Sequence, residues 1–156
     1  MRGIMSETKI VILGHERESQ LIEFNKLCFP SDYWKKEDWL ELLCDPRAVY
    51  YALLDGDKLI GNVFVYNWQG EDDYVKIMNL SVHPDHRGGG LAHKLLDHVT
   101  IEMTKLGMKR FCGETRATNY AMQRVFKGCG YRLHKIEEGY FDEPPESAYK
   151  YVLEIA

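Results

Sequence analysis

The stretch NLSVHPDHRGGGLAHKLL, residues 79–96, joins the end of an apolar strand to a helical pattern through a proline and three consecutive glycines. A glycine inside a helix costs about 1 kcal/mol relative to alanine, so three of them at a helix start need a reason. The first turn of a helix carries unsatisfied backbone N–H groups and a partial positive charge. Glycines let an anion approach these amides without a Cβ in the way, and they allow a positive φ. The stretch predicts either a phosphate-binding turn or a flexible loop before a helix.

The residues around the glycines exclude two known nucleotide-binding motifs. Lys94 has no serine or threonine after it, so the stretch is not a P-loop, and the glycine spacing does not match the dinucleotide-binding motif. What remains is the pattern Arg87-x-x-Gly90-x-Ala92, between an apolar strand and a helix predicted from Gly90 to Leu106. Apolar residues at helical intervals make that helix the clearest in the sequence.

Hydrophobic periodicity along the rest of the chain alternates between strand and helix patterns. The predicted order is strand, two helices, three strands, helix, strand, helix and two strands. Because strands outnumber helices and cluster in hairpins, we expect an α/β protein of the α+β type, with a mixed, mostly antiparallel, twisted sheet of about seven strands and about four helices. Residues 1–8 are expected to form a flexible extension, and residues 9–156 a single domain. Ser31 or Asp32 is expected to cap the second helix and Thr118 the fourth.

Composition and charge exclude several classes of partner. A net charge of −4 and a pI near 5.9 argue against nonspecific nucleic-acid binding, which needs clustered lysine and arginine. No apolar run approaches the roughly 20 residues of a membrane span, and the N-terminus lacks an apolar signal core. We therefore expect a cytoplasmic protein with no membrane partner. The acidic segments 71–73 and 137–146 are either a solvated surface or an attraction for a cationic substrate.

Cysteine and histidine spacing gives no metal motif. The four cysteines form no CxxC pair, so we expect reduced thiols in the core. His93 and His98 are five residues apart and diverge on a helix, while His83 and His86 flank a proline turn. The sequence therefore predicts no metal site.

With Arg87-x-x-Gly90-x-Ala92 following Val82-His83-Pro84, the chain resembles the GNAT superfamily of acyl-CoA N-acyltransferases. The resemblance extends over most of the chain. The segments CFPSDYWKKEDWLELL (28–43), ETRATNYAMQRVFKGCGY (114–131) and GYFDEPPESAYKYVLEI (139–155) are similar to the branch that contains ribosomal-protein alanine N-acetyltransferases and N-terminal acetyltransferases. This resemblance implies a GNAT fold and acetyl-CoA as the co-substrate, without a metal.

The resemblance also implies where acetyl-CoA lies. The amides of the glycine motif would hold the pyrophosphate, and an N–H near Leu80 would stabilise the oxyanion of the tetrahedral intermediate. The positions that the resemblance assigns to acetyl-CoA are Leu80, Ser81, Val82, Arg87, Gly88, Gly89, Gly90, Leu91, Ala92, His93, Asn119 and Phe126.

Glu114 matches the carboxylate that acts as general base in the ribosomal-protein acetyltransferases. The chemistry needs a base because a protonated amine cannot attack a thioester. At pH 7 deprotonation costs about 4.6 kcal/mol for a lysine-type amine and about 1 kcal/mol for an α-amine, so one carboxylate acting through water suffices for the α-amine. The alternatives are that Glu114 is a solvated charge at a strand end, or that His83 is the base.

Phe126 departs from the family pattern, in which many members have a tyrosine that protonates the departing thiolate. Phenylalanine cannot donate a proton. A thiol with a pKa of about 8.5 leaves as thiolate at pH 7 for roughly 2 kcal/mol, so the loss is tolerable. The sequence predicts a slower enzyme or a substitute donor, namely water, Tyr131 or Tyr120, and leaves the general acid unassigned.

Phe29, Tyr33 and Tyr140 match positions where N-terminal acetyltransferases hold a peptide backbone; they are otherwise aromatic packing of loops. The favoured function is acetyl-CoA-dependent acetylation of a primary amine, with a protein or peptide N-terminal α-amine as acceptor. The alternatives are acetylation of a small amine (polyamine, amino acid or aminoglycoside) and a noncatalytic CoA-binding module. The sequence leaves the chain a monomer or a homodimer.

Overall fold

The computed structural model describes residues 8–30, 33–67 and 74–155, and within these ranges it contains seven strands and four α-helices. The strands are β1 (Thr8–Leu13), β2 (Ala48–Asp55), β3 (Lys58–Asn67), β4 (Tyr74–Val82), β5 (Arg110–Arg116), β6 (Arg132–Asp142) and β7 (Pro145–Glu154). The helices are α1 (Glu18–Cys28), α2 (Lys36–Leu43), α3 (Leu91–Lys105) and α4 (Tyr120–Gly128), with short 3₁₀ turns at His15–Arg17 and Pro84–His86.

The strands form one mixed sheet in the order β1-β2-β3-β4-β5-β7-β6. Every neighbouring pair is antiparallel except β4 and β5, which are parallel because α3 carries the chain back between them. The expected fold class, a single-domain mixed sheet with helices packed against it, is confirmed. None of the helices in the described ranges is long and apolar enough to cross a membrane.

The sheet is covered by helices on both faces, and each face has its own apolar core. One core lies under α3 and α4 and includes Val63, Leu95, Val99, Phe111 and Phe126. The other lies under α1 and α2 and includes Leu21, Phe24, Trp39, Tyr50 and Phe64. A side chain of the sheet therefore points to one of two helix layers, and alternation along a strand decides which.

The two parallel strands separate halfway along their length. Pairing between β4 and β5 covers only Tyr74–Ile77 with Arg110–Gly113, although β4 continues to Val82 and β5 to Arg116. Met78 is an extra residue in the ladder, since Ile77 pairs with Val65 and Asn79 pairs with Phe64 on the neighbouring strand β3. This β-bulge bends β4 at the point where its pairing with β5 ends. The opening between the strands is the feature that creates the site.

Several local expectations are corrected. Asn119, not Thr118, caps α4, because its side-chain oxygen accepts a hydrogen bond from the Met122 amide at 3.1 Å. Thr8, expected in the N-terminal extension, is part of β1, where it pairs with Asp55. Cys44 is exposed, whereas the other three free thiols are buried or half-buried as expected. Helix α2 has Lys35 as its N-cap, without a side-chain cap, and not Ser31 or Asp32 as expected. Residues 1–7, Ser31, Asp32 and the acidic segment 71–73 lie outside the described residues.

Candidate active site

Two cavities meet where β4 and β5 separate. The first, of about 510 Å³, lies between the end of β4, the glycines and the starts of α3 and α4; we call it the glycine-turn cavity. The second, of about 360 Å³, lies between the end of α1 and strands β4 and β5; we call it the Glu114 cavity. Phe29, Leu80, Asn119 and Met122 line both. The two cavities therefore form a single cleft.

The structure brings most of the residues assigned to acetyl-CoA to one of these cavities. The glycine-turn cavity is lined by Leu80, Ser81, Val82, Arg87, Gly88, Gly90, Leu91, Ala92, His93 and Asn119. Gly89 lies in the turn but lines neither cavity, and Phe126 lines the Glu114 cavity. These positions lie together because the turn between β4 and α3 folds back over the end of its own strand.

The glycines are needed for backbone conformation. Gly88 has φ +86° and Gly90 has φ +78°, which is the left-handed region that other residues enter only with strain. A Cβ built on either glycine meets nothing within 4 Å. Gly90 is also the N-cap of α3, and no side chain caps the helix there, so its first amides remain available to an anion.

Arg87 stabilises the turn through hydrogen bonds to two backbone carbonyls. Its Nε donates to the Val82 carbonyl at 2.9 Å, and its Nη2 donates to the Cys28 carbonyl at 3.5 Å. The guanidinium therefore joins the end of β4 to the end of α1, while its positive charge stays beside the cavity. The same charge partly offsets the burial that raises the pKa of the Cys28 thiol.

His93, Asp97 and Cys129 form a cluster beside the turn. The His93 Nε2 lies 3.0 Å from an Asp97 carboxylate oxygen, and the Cys129 thiol donates to the His93 carbonyl at 3.6 Å. Burial and the Asp97 charge raise the pKa of Cys129 to about 12, so the thiol stays protonated at neutral pH. The three ligand atoms lie within 4.8 Å of one another, which the cysteine and histidine spacing did not reveal. Their mutual contacts join the end of α4 to the first turn of α3.

Glu114 lies on β5 in the second cavity, with its side chain only 20% exposed. The Lys76 ammonium lies 3.9 Å from its carboxylate. Interaction with the Glu114 carboxylate, together with burial, raises the pKa of the Tyr140 phenol to about 12. The Lys150 ammonium lies 4.5 Å from the centre of the Tyr140 ring. Glu114 therefore lies in a half-buried position, beside a neutral phenol and an ammonium group.

Neither of the two tyrosines considered as a substitute acid lies in the cleft. Phe126 is buried and stacks on Tyr151 with ring centres 5.0 Å apart. Tyr131, considered as a substitute donor, is buried in the core and exchanges a hydrogen bond with Thr100 at 3.1 Å. Tyr120, the other candidate, is 63% exposed. Neither lines the Glu114 or the glycine-turn cavity, so water is the remaining donor of those considered.

The predicted acceptor residues are only partly brought together. Phe29 lines both cavities, and Tyr140 contacts Glu114. Tyr33 is half-exposed, with the Lys26 ammonium 5.5 Å from its ring centre, and it lines neither cavity. His83, the alternative base, accepts a hydrogen bond from the Asp85 amide at 3.1 Å and is likewise outside both cavities.

Other residues of the cleft were missed in the sequence. Trp34, Asn79, Arg116 and Phe141 line the Glu114 cavity. The Arg116 guanidinium lies 4.5 Å from the Phe141 ring centre and 3.3 Å from the Glu146 carboxylate, which joins β5 to the β6–β7 hairpin. The aromatic residues flanking Tyr33 and Tyr140 were the available signal for Trp34 and Phe141; nothing local distinguishes Asn79.

The site combines a glycine turn at a helix start with a carboxylate at the opening between two parallel strands. This combination lies in the part of the chain that the family comparison identifies. The model of the acetyltransferase (GNAT) family matches residues 17–131. The chain belongs to this acetyltransferase family.

Known proteins of the same family share parts of the sequence and the whole fold. The [ribosomal protein bS18]-alanine N-acetyltransferase of Escherichia coli is 30% identical over 69 residues, which cover 44% of this chain and 47% of that protein. The alignment thus spans about half the length of this curated relative. The solved structure of the Escherichia coli ribosomal-protein alanine N-acetyltransferase superposes with a TM-score of 0.86 at 20% identity, covering 96% of this chain and 95% of that one. Arabidopsis thaliana NAA60 in complex with acetyl-CoA gives a TM-score of 0.83 at 16% identity, covering 96% and 100%.

Proposed function

We propose that the protein is an acetyl-CoA-dependent N-acetyltransferase whose acceptor is the α-amine at the N-terminus of a peptide or protein. The observation that carries the proposal is the meeting of the two cavities at the opening between β4 and β5, with Glu114 on one side and the glycine turn on the other. We place the reaction in the cytoplasm, where the four free thiols stay reduced.

In this proposal the glycine-turn cavity binds acetyl-CoA. The amides of Gly88 to Ala92 bind the pyrophosphate at the start of α3, where the helix dipole favours an anion. Beyond Ile77, β4 does not pair with β5, so N–H groups on that side of β4 are free for the amides of the pantetheine arm. The N–H near Leu80 stabilises the negative charge that develops on the thioester oxygen.

Glu114 activates the acceptor from the other cavity. It takes a proton from the ammonium through a water molecule, and the free amine then attacks the thioester carbon. The nitrogen of the tetrahedral intermediate loses its second proton to water, and the intermediate collapses to the amide with loss of the CoA thiolate. Since Phe126 cannot donate, the thiolate leaves unprotonated and takes its proton from water. An α-amine suits this arrangement because its deprotonation at pH 7 costs about 1 kcal/mol, against about 4.6 kcal/mol for lysine.

The alternative acceptor, a small cationic amine, would need unpaired carboxylates near the cleft to attract it, and within the described residues the structure offers fewer of these than the sequence suggested. The acidic segments 71–73 and 137–146 were its support in the sequence, and the first of them lies outside the described residues. In the structure Glu137 lies 3.2 Å from the Lys150 ammonium, and Glu146 binds Arg116 and the Thr118 amide. Two of the carboxylates expected to attract a cation are therefore neutralised within the hairpin.

A thiol-release assay with acetyl-CoA tests the proposed function. The acceptor panel contains peptides with free N-termini, the same peptides with acetylated N-termini, a polyamine, free amino acids and an aminoglycoside. We expect CoA release with free N-termini and none with blocked ones. Release with the small amines alone would assign a small-molecule acceptor. Tight CoA binding without release in any mixture would indicate a noncatalytic module.

Tyr140→Phe is expected to lower kcat for a peptide acceptor about tenfold with little change in the KM of acetyl-CoA, because Glu114 loses the hydroxyl that orients it. Since the pKa of Tyr140 is raised to about 12, the phenol stays neutral from pH 7 to pH 9. The difference between the two proteins should shrink over that range, because an α-amine with a pKa of about 7.8 loses its proton without the base. Initial rates over that range measure it.

Tyr120→Phe is the matched control, because it removes an exposed hydroxyl that lines neither cavity. An equal loss in both variants, or a rise in acceptor KM with unchanged kcat in Tyr140→Phe, would contradict a role for Tyr140 in positioning Glu114.

A further inference from the structure

The side-chain amide of Asn79 is hydrogen-bonded within the protein at its oxygen and accessible at its nitrogen. Its Oδ1 accepts two hydrogen bonds, from the Asn62 Nδ2 at 3.0 Å and from the Ser81 hydroxyl at 3.1 Å. Both donors are almost fully buried, with 1% and 5% of their surfaces exposed. These bonds orient the amide, so that its Nδ2 carries the donors that are free for a ligand.

The open end faces the Glu114 cavity. Asn79 lines that cavity, and its Nδ2 makes no hydrogen bond to any residue in the described ranges. It is also absent from the buried unpartnered atoms found in those ranges, which belong to Asn25, Trp39, Tyr50 and Tyr151. Two N–H donors on a fixed amide are therefore accessible from the cavity.

Asn79 and Glu114 lie on the same face of the sheet. Asn79 pairs directly with Phe64, which belongs to the core under α1 and α2, and paired residues share a face. Phe111 belongs to the core under α3 and α4, so alternation along β5 turns Glu114 to the opposite face, that of Asn79. Leu80 packs on the α3 and α4 side. The Asn79 amide therefore lies on the same side of the opening as Glu114, in the cavity that both residues line.

We propose that Asn79 is a specificity-determining residue that donates a hydrogen bond to a carbonyl oxygen of the acceptor, close to the amine that Glu114 activates. This inference rests on the proposed acetyl transfer and narrows its substrate: the acceptor is an aminoacyl group, as at a peptide N-terminus, and a polyamine lacks the required oxygen. When an acceptor without a carbonyl binds, it displaces the water that was hydrogen-bonded to the Asn79 Nδ2 group. The two N–H donors then have no hydrogen-bond acceptor. A site built to bind a polar group rejects such an analogue for that reason.

The isosteric variant Asn79→Asp isolates this interaction. A carboxylate oxygen still accepts from Asn62 and Ser81, so the contacts that hold the side chain persist, while the donors facing the cavity are replaced by an acceptor. Asn79→Ala removes the same donors without adding charge. Two acceptors are compared in each protein: a peptide with an N-terminal alanine, and an alkylamine of similar size with no carbonyl.

The measured quantity is the ratio of kcat/KM for the peptide to kcat/KM for the alkylamine. Taking this ratio cancels the effect of a substitution on acetyl-CoA and on Glu114. We expect it to fall about 10- to 100-fold in both variants, through a higher peptide KM, with the KM of acetyl-CoA unchanged. Circular dichroism and thermal melting of each variant check that the fold is retained.

The possible failures are distinguishable. If the wild-type protein acetylates the peptide and the ratio stays constant in both variants, the inference is wrong and the proposed function stands. A parallel loss with both acceptors would also overturn it, since the amide would then serve the thioester. If the wild-type protein acetylates only the alkylamine, or neither acceptor, the inference and the proposed function both fail.

Discussion

Replacing Glu114 by glutamine is expected to lower kcat/KM for a peptide acceptor about 100- to 1000-fold at pH 7, because a positioned general base typically contributes 10²- to 10⁴-fold. Glutamine keeps the shape of the side chain and can still bond the Tyr140 hydroxyl, but it cannot accept the proton of the acceptor. Binding of CoA should be unchanged, since Glu114 does not line the glycine-turn cavity. Thiol release and calorimetry with CoA measure the two effects separately.

The pH dependence gives a second readout for this substitution. An α-amine has a pKa of about 7.8, so by pH 9 most of it is free without help from the enzyme. The deficit of the variant should therefore shrink as the pH rises from 7 to 9. Glu102→Gln, at a half-exposed position on α3, is the control and should retain wild-type rates. Unchanged turnover in Glu114→Gln would show that the carboxylate is not the base.

Gly90→Ala is expected to weaken CoA binding about 10- to 100-fold, because alanine resists the φ of +78° and the amides of the turn lose their common direction. One or two charge-assisted hydrogen bonds to phosphate, of about 1.5–3 kcal/mol each, are at stake. The left-handed conformation also costs an alanine about 1–2 kcal/mol of stability. Calorimetry with CoA measures the affinity, and thermal unfolding measures the stability.

Gly107→Ala separates these two effects. Gly107 follows the other end of α3, has φ +93°, and also meets nothing within 4 Å of a built Cβ. Its substitution should cost similar stability while leaving CoA affinity unchanged, since it is outside the glycine-turn cavity. Equal losses of affinity in both variants would mean that the glycines serve folding and do not bind phosphate.

The elements that depend on neighbours in sequence were predictable. The periodicity of α3 placed it at Gly90 to Leu106, and the structure has it at Leu91–Lys105. The positive φ of Gly88 and Gly90 follows from a property of glycine itself. Local rules also predicted a cap for α4, but the predicted residue, Thr118, was wrong, because its amide and hydroxyl are bound by Glu146 from the hairpin.

In the candidate site, too, some features follow from the sequence and others depend on contacts between distant segments. The resemblance indicated Glu114, the acetyl-CoA positions and Tyr140 as an acceptor residue, and the structure adds that the Tyr140 phenol interacts with the Glu114 carboxylate. The hydrogen bonds that orient Asn79 come from Ser81, two residues away, and from Asn62 on the neighbouring strand. No pattern within one segment encodes a bond between strands.

The sequence by itself determined the order of strands and helices and the glycine turn, since propensity, periodicity and turn chemistry act over a few residues; Glu114 was indicated only by the resemblance to a family. Only the tertiary structure decided where β4 and β5 separate, which face of the sheet each polar side chain occupies, and which tyrosine reaches Glu114. Those features depend on the register between strands, the bulge at Met78 and the packing of helices on both faces, which are set by contacts between residues far apart in the chain.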